Sequence, residues 1–269
     1  AVVNVRFLGE VTILDSNFWH NEAHGLDGFH GLIWAVGTSL TMSNCNFTDN
    51  IVDDANFEGG ALWYEGSSND VLIIEDSTFS GGKANYGSAI YVEASASTKT
   101  KMNFDGLTIE NNEANLRGTV YISSSLSGKH TLTFTNSRFF NNGGDFDSQL
   151  YINGIATTVL ENITIDQGYS NSTESETRSI YLSRGNLTLT NVQISNIQTP
   201  NIASVMYIES TENVYIANLT MENNKAIGAI LLMDDNDYIS IEASTFKNNH
   251  HPTTNVADTT FAGYQGFVM

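Results

Sequence analysis

One motif returns nine times along the chain. It has a polar or small residue, any residue, a large apolar anchor, two polar residues and often Asn. Clear copies are Ser16-Asn17-Phe18-Trp19-His20-Asn21, Cys45 to Asn50, Leu107 to Asn112, Ser137 to Asn142, Leu219 to Asn224 and Ser244 to Asn249. The anchors Phe18, Phe47, Phe79, Ile109, Phe139, Ile165, Ile194, Met221 and Phe246 stand 25 to 32 residues apart. Self-similarity at such a period is the mark of a repeat architecture, in which stacked units close a core that no unit closes alone. Fixed motifs at varying intervals imply fixed strands joined by loops of varying length.

Two further columns accompany each anchor. Before it come apolar residues two apart: Val11/Ile13, Leu40/Met42, Leu72/Ile74, Met102/Phe104, Leu132/Phe134, Leu187/Leu189, Val214/Ile216 and Ile239/Ile241. A period of two is that of a strand with one face buried. Three residues before the anchor stands Asp15, Asn44, Asp76, Gly106, Asn136, Asn162, Asn191, Asn218 or, once, Ala243. Asp, Asn and Gly tolerate the left-handed conformation of a sharp bend. After the anchor come Gly31-Leu32-Ile33-Trp34, Gly60-Ala61-Leu62-Trp63, Ser88-Ala89-Ile90-Tyr91 and similar segments. These columns predict an all-β fold, a right-handed single-stranded parallel β-helix of about nine rungs with three short strands per rung. At about 4.8 Å per rung it would form a rod on the order of 40 Å long.

The composition agrees. The 269 residues include 31 Asn and 53 Ser plus Thr, and only 15% are charged. Asn at one place in successive rungs can hydrogen-bond along the axis, as stacked Asn does in cross-β structures. Asn21, Asn50, Asn112, Asn142, Asn224 and Asn249 would form one such row, interrupted at Gly82, Gly168 and Ile197. A net charge of −19 argues against a nucleic-acid partner, which demands clustered Lys and Arg. No apolar run approaches the roughly 20 residues of a membrane-spanning helix. The one cysteine, Cys45, shares a column with Ser16, Ser77 and Ser137 and reads as a small buried thiol.

Phe18-x-x-Asn21, Phe47-x-x-Asn50, Phe139-x-x-Asn142 and Phe246-x-x-Asn249 occur alongside Gly59-Gly60-Ala61-Leu62 and Gly87-Ser88-Ala89-Ile90. Together they resemble the polymorphic outer-membrane-protein repeat (G-G-A-I and F-x-x-N) within the pectin-lyase-like superfamily. The resemblance covers nearly the whole chain. It implies a parallel β-helix on a cell surface or outside the cell, often adhesive. In pectin-lyase-like enzymes the equivalent outer face carries the carbohydrate site.

Several candidate features follow. Trp34, Trp63, Tyr91, Tyr121, Tyr151, Tyr181 and Tyr207 alternate with core positions, so they point outward at one lateral place on seven rungs. Such a stripe serves as a structural stack, as a contact for a protein partner, or as a platform for sugar rings. Glu65 and Glu93 lie two residues beyond it, the kind of carboxylate pair a glycosidase needs. The Asp-Asp and Gly-His-Gly signature of polygalacturonases and the Arg-x-Lys of pectate lyases are missing. A non-enzymatic scaffold is therefore favoured over a polysaccharide lyase or glycoside hydrolase. Asp234, Asp235 and Asp237 form a hard-oxygen turn that suits Ca²⁺ weakly, and no other cofactor is indicated. N-x-S/T sequons stand at Asn46, Asn162, Asn171, Asn186 and Asn218. Five sequons match the number chance predicts for this composition, so they are no independent sign of secretion.

The ends lack an amphipathic cap, and an uncapped solenoid exposes strand edges and core. The expectation is a single β-helix segment over 1–269, part of a longer solenoid or one that self-associates through open ends. Its expected role is structural or adhesive, in a filament or on a cell surface. The alternative is a carbohydrate-binding or carbohydrate-active β-helix that uses the aromatic stripe.

Overall fold

A computed structural model describes residues 2–7, 9–24, 31–53, 58–67, 69–95, 99–124, 129–146, 148–170, 178–199, 204–226, 229–251, 254–255, 259–261 and 264–265. Among them there is no helix, and parallel sheets stack into a β-solenoid of about seven turns. The first wall is a nine-stranded parallel sheet running from Val3–Arg6 to Leu231–Asp234. It holds the outward aromatics.

The apolar pairs and the anchors share the second wall. Their strands, such as Val71–Glu75 and Thr78–Ser80, belong to one sheet, and in Thr131–Phe140, Thr157–Asp166 and Asn186–Ser195 the two run together as ten residues. The left-handed column marks the bend between them. Asp15, Asn44, Asp76, Asn136, Asn162, Asn191 and Asn218 have φ between 47° and 56°, Gly106 has 65°, and even Ala243 is held at 47°.

The third wall is built from segments that the sequence columns did not mark. It is a ten-stranded sheet of short segments that follow the Asn-row position, including Glu22–His24, Lys83–Tyr86, Glu113–Arg117 and Lys225–Ala226. A second left-handed column introduces it: His20, Asp49, Gly81, Asn111, Asn141, Gln167, Asn196, Asn223 and Asn248. Each rung thus has four extended segments in three sheets, where the sequence suggested three.

Register holds like against like. Leu40, Leu72, Met102 and Leu132 are successive partners, as are Phe47, Phe79, Ile109 and Phe139. Phe18, Phe47 and Phe79 stack with ring centroids 4.8 Å apart. The rung without an apolar pair in the sequence places Thr158 and Leu160 there, both buried.

The Asn row bonds from rung to rung as expected, Asn21 to Asn50, Asn112 to Asn142 and Asn224 to Asn249 at 3.0 to 3.1 Å, and its amides also hold backbone groups. Asn142 Oδ1 accepts from the Asn112 backbone N–H at 3.0 Å, and its Nδ2 donates to the Ile109 carbonyl at 2.8 Å. Asn112 does the same to Gly82 and Phe79, and Asn224 to Ile197 and Ile194. Each amide closes the backbone of the rung before it, whatever residue stands there. Gly82 and Ile197 donate their backbone N–H to the next Asn but supply no amide to the rung before, so the side-chain row is interrupted there as expected. Where Gly168 supplies no amide, Gln149 Nε2 reaches the Asn142 carbonyl at 2.6 Å.

The two ends differ. In the first rung Val3, Val5, Val11, Ile13 and Phe18 are only partly buried, while Phe7 and Trp19 are exposed. The expectation of an open C-terminal edge is corrected for the second and third walls, while Leu231–Asp234 stays the edge strand of the first wall among the described residues. Thr259–Phe261 pairs antiparallel with Ser244–Lys247, and Tyr264–Gln265 with Tyr238–Glu242. A chain that turns back antiparallel ends the parallel ladder and covers its edge. Gly266 to Met269, read as the start of another wall strand, lie outside the described residues.

Candidate functional site

The outer face of the first wall is the leading candidate. Ile90 and Val92 are fully buried in the core, and Tyr91 between them points away from it. Parallel register then places Trp34, Trp63, Tyr91, Tyr121, Tyr151, Tyr181 and Tyr207 in one line. All seven residues read from the sequence are brought together.

Their exposure is not what an open platform requires. Trp63, Tyr91 and Tyr151 retain only 5% of their surface, Tyr181 7% and Tyr207 8%. Ring centroids are 4.9 Å apart for Tyr91/Tyr121, 4.6 Å for Tyr121/Tyr151 and 4.8 Å for Tyr151/Tyr181, with interplanar angles of 4°, 3° and 19°. The Arg6 guanidinium covers Trp34 at 3.4 Å, and Arg178 lies over Tyr207 at 4.4 Å. A sugar ring stacks on a free aromatic face, and here neighbouring rings occupy those faces. Of the three uses open to the stripe, the closed faces fit the structural stack best, with its polar atoms at the rim.

That rim is phenol and carboxylate. Tyr181 Oη donates to Glu209, and Tyr207 Oη donates to Asp234 at 3.3 Å. Trp63 Nε1 donates to Glu58 at 3.3 Å, and the Tyr91 hydroxyl is hydrogen-bonded to the same carboxylate. Burial, reinforced by the Glu58 and Glu93 charges, pushes the Tyr91 phenol far up. Burial next to Tyr151 raises Tyr121 to about 12. Tyr151 Oη instead accepts from Arg117 at 3.2 Å and Asn153 at 3.3 Å. Sequence reasoning missed Glu58 and the arginines, because Arg6, Arg117 and Arg178 stand at strand ends and Glu58 in an isolated bridge, places where no residue type repeats from rung to rung.

Glu65 and Glu93 are register partners on adjacent strands, as the carboxylate hypothesis needs. Burial, then the Glu58 and Glu65 charges, raise the Glu93 carboxyl above the usual range.

The other candidates are dispersed. Asp234 accepts from Tyr207, Asp235 is left-handed with its carboxylate 3.4 Å from Ser210 Oγ, and Asp237 bonds Thr211 through its backbone. Among the described residues no three His, Cys, Asp or Glu side chains are grouped to hold a metal ion. Four sequon amides are engaged in the ladders. Asn46, Asn162 and Asn218 donate to Asn17, Asn136 and Asn191 at 2.9 to 3.0 Å, and Asn186 accepts from Asn213 at 2.7 Å. Asn171 lies outside the described residues. Cys45 is a free, buried thiol bonded to the Ser43 carbonyl at 3.4 Å. No helix among the described residues is long and apolar enough to cross a membrane.

A separate polar cavity of about 550 Å³ opens between Asn141, Gln167, Gly168, Tyr169, Asn196 and Gln198. Its amides come from the second left-handed column and the third wall. The doublets Asn111-Asn112, Asn141-Asn142, Asn223-Asn224 and Asn248-Asn249 were the signal for that column in the sequence. Comparison of the chain with protein-family models, with curated proteins and with solved structures finds no match.

Proposed function

We propose that this chain is a non-enzymatic β-helix scaffold, structural or adhesive, working outside the cell or on its surface. The observation that carries this reading is the axial bonding of every rung to the next by side chains as well as backbone. A buried amide row and an aromatic stack both run along the rod, which suits a stiff spacer or filament segment. The full reading is a right-handed coil of nine rungs, counting the incomplete rungs at the ends. Right-handedness follows the general rule for parallel strands joined by crossovers. The surface location extends the resemblance to polymorphic outer-membrane-protein repeats. A purified chain coupled to beads should hold them on a cell or matrix surface against flow, and beads that wash off like uncoated ones remove the adhesive role. Polysaccharide turnover by the parent chain, lost in Glu93→Gln, would overturn the non-enzymatic reading.

The second reading is carbohydrate binding, and the amide-lined cavity favours it. Asn and Gln amides both donate and accept, matching neutral sugar hydroxyls, and Tyr169 offers an aromatic edge. A glycan array probed with the parent and with Gln167→Ala/Gln198→Ala separates the readings, since binding that depends on this pair supports the second.

A further inference from the structure

The aromatic stack has a property that neither packing nor adhesion uses. Seven oxidisable rings follow one another without a gap. Centroid distances are 6.0 Å for Trp34/Trp63, 5.9 Å for Trp63/Tyr91, then 4.9, 4.6 and 4.8 Å to Tyr181, and 6.0 Å to Tyr207. From Trp63 to Tyr181 the rings are stacked face to face, the arrangement that gives the best overlap between neighbouring π systems. Exposure of 5–8% at Trp63, Tyr91, Tyr151, Tyr181 and Tyr207 keeps a radical formed there away from solvent.

Oxidising a phenol at neutral pH requires it to give up its proton as well as an electron. The structure supplies acceptors. Glu58 takes the Trp63 indole N–H and the Tyr91 hydroxyl, Glu209 takes Tyr181 and Asp234 takes Tyr207. Tyr121 and Tyr151 lie between these carboxylate-backed positions, and Tyr151 Oη accepts hydrogen bonds from Arg117 and Asn153.

We propose that the Trp34–Tyr207 stack is a conduit for single-electron oxidising equivalents, delivered by a diffusible one-electron oxidant and stored as tyrosyl radicals at the carboxylate-backed ends. The balance is simple. The oxidant gains one electron from Trp34 or Trp63. An electron from Tyr91 refills the indole, and the phenolic proton passes to Glu58. Each later step passes a hydrogen atom, the electron and the phenolic proton together, from the next tyrosine to the radical ring stacked on it, so Tyr91 is restored and the hole moves one ring onward while the first proton stays on Glu58. At Tyr181 or Tyr207 the radical rests on a phenoxyl oxygen beside Glu209 or Asp234. The net change is one reduced oxidant, one neutral tyrosyl radical and one protonated carboxylate. Indole radicals oxidise tyrosine downhill at neutral pH, so the order of two tryptophans then five tyrosines sets the direction.

The test uses a photo-oxidant at the tryptophan end. Asn4 is exposed and is the register partner of Trp34. Asn4→Cys in a Cys45→Ser background is labelled with a ruthenium polypyridyl complex and flashed with a sacrificial electron acceptor. A nitroso spin trap is then located residue by residue by mass spectrometry. Adducts are expected at Tyr181 and Tyr207 as well as near the label. Tyr121→Phe/Tyr151→Phe keeps the stacked rings but removes their accessible oxidation. It should cut the Tyr181 and Tyr207 adducts several-fold and raise those at Trp63 and Tyr91. Circular dichroism checks the fold, and Tyr151→Phe alone provides a milder version. Equal far-end adducts in parent and folded variants, or adducts confined to Trp34 and Trp63 in the parent, would overturn the proposal.

Discussion

Two rows of asparagine run along this rod, one buried and one exposed, and they do different work with the same amide. The buried row, represented by Asn112, Asn142 and Asn224, adds bonds to backbone groups of the preceding rung, the Phe79, Ile109 and Ile194 carbonyls among them. In the exposed row, Asn162, Asn191 and Asn218 each reach the Asn Oδ1 of the rung before at 3.0 Å, and Asn136 reaches Asp105 Oδ1 at 2.7 Å. The main task of this row is conformational, since every member is left-handed. A buried polar group is costly to strand, whereas an exposed amide exchanges its partner for water at little cost. Position in the section of the rod, not residue type, sets the energetic role.

Breaking the buried row should have the largest effect. Asn142→Ala removes the buried bonds to the Asn112 N–H, the Asn112 side chain and the Ile109 carbonyl, and we expect a loss of about 3 kcal/mol in urea unfolding. A loss below about 1 kcal/mol would erase the distinction between the rows. In the exposed row, Asn191→Ala should cost about 1–2 kcal/mol, because a β-carbon is forced into the left-handed region without the local bonding Asn offers. Ala243 is the natural form of that strain, so Ala243→Gly should raise stability by about 1 kcal/mol. Asn191→Gly keeps the conformation and deletes only the ladder bonds, and a change within about 0.5 kcal/mol is expected. A cost equal to that of Asn191→Ala would show that the exposed ladder itself matters.

The smallest effect concerns pH. Neither amide row titrates, so neither contributes to pH dependence near neutrality. Glu93 does contribute. A carboxyl whose pKa is raised on folding binds its proton more tightly in the folded state. Burial beside Glu58 and Glu65 has this effect on Glu93. Stability should therefore rise slightly as pH falls from neutral through its folded pKa, and level off below the unfolded value. Thermal melts of Glu93→Gln should be higher than the parent at neutral pH and should lack this increment. An unchanged increment would assign it to another group.

The repeat made much of this architecture legible. Apolar residues two apart marked strands, and Asp, Asn or Gly at one offset marked the first bend, because a left-handed turn strongly restricts residue choice. The third wall was harder to see. Its strands are only two to five residues long, and segments such as Gly143–Phe146 and Tyr169–Ser170 carry no apolar alternation. The candidate site was legible as a line of seven aromatics and illegible as a covered stack. Alternation tells which side of a sheet a residue takes, and it says nothing about what lies over that side.

The chain's own order of residues therefore determined the solenoid, its bends and the axial alignment of like with like, because each depends on local conformation repeated at a near-constant interval. The tertiary structure alone decided which amides are buried, that the aromatic faces are closed by one another and by Arg6 and Arg178, and that the C-terminal edges of the second and third walls are covered by antiparallel strands. Those outcomes depend on contacts between residues a full turn or more apart, and on loops of varying length, for which a local pattern carries no signal.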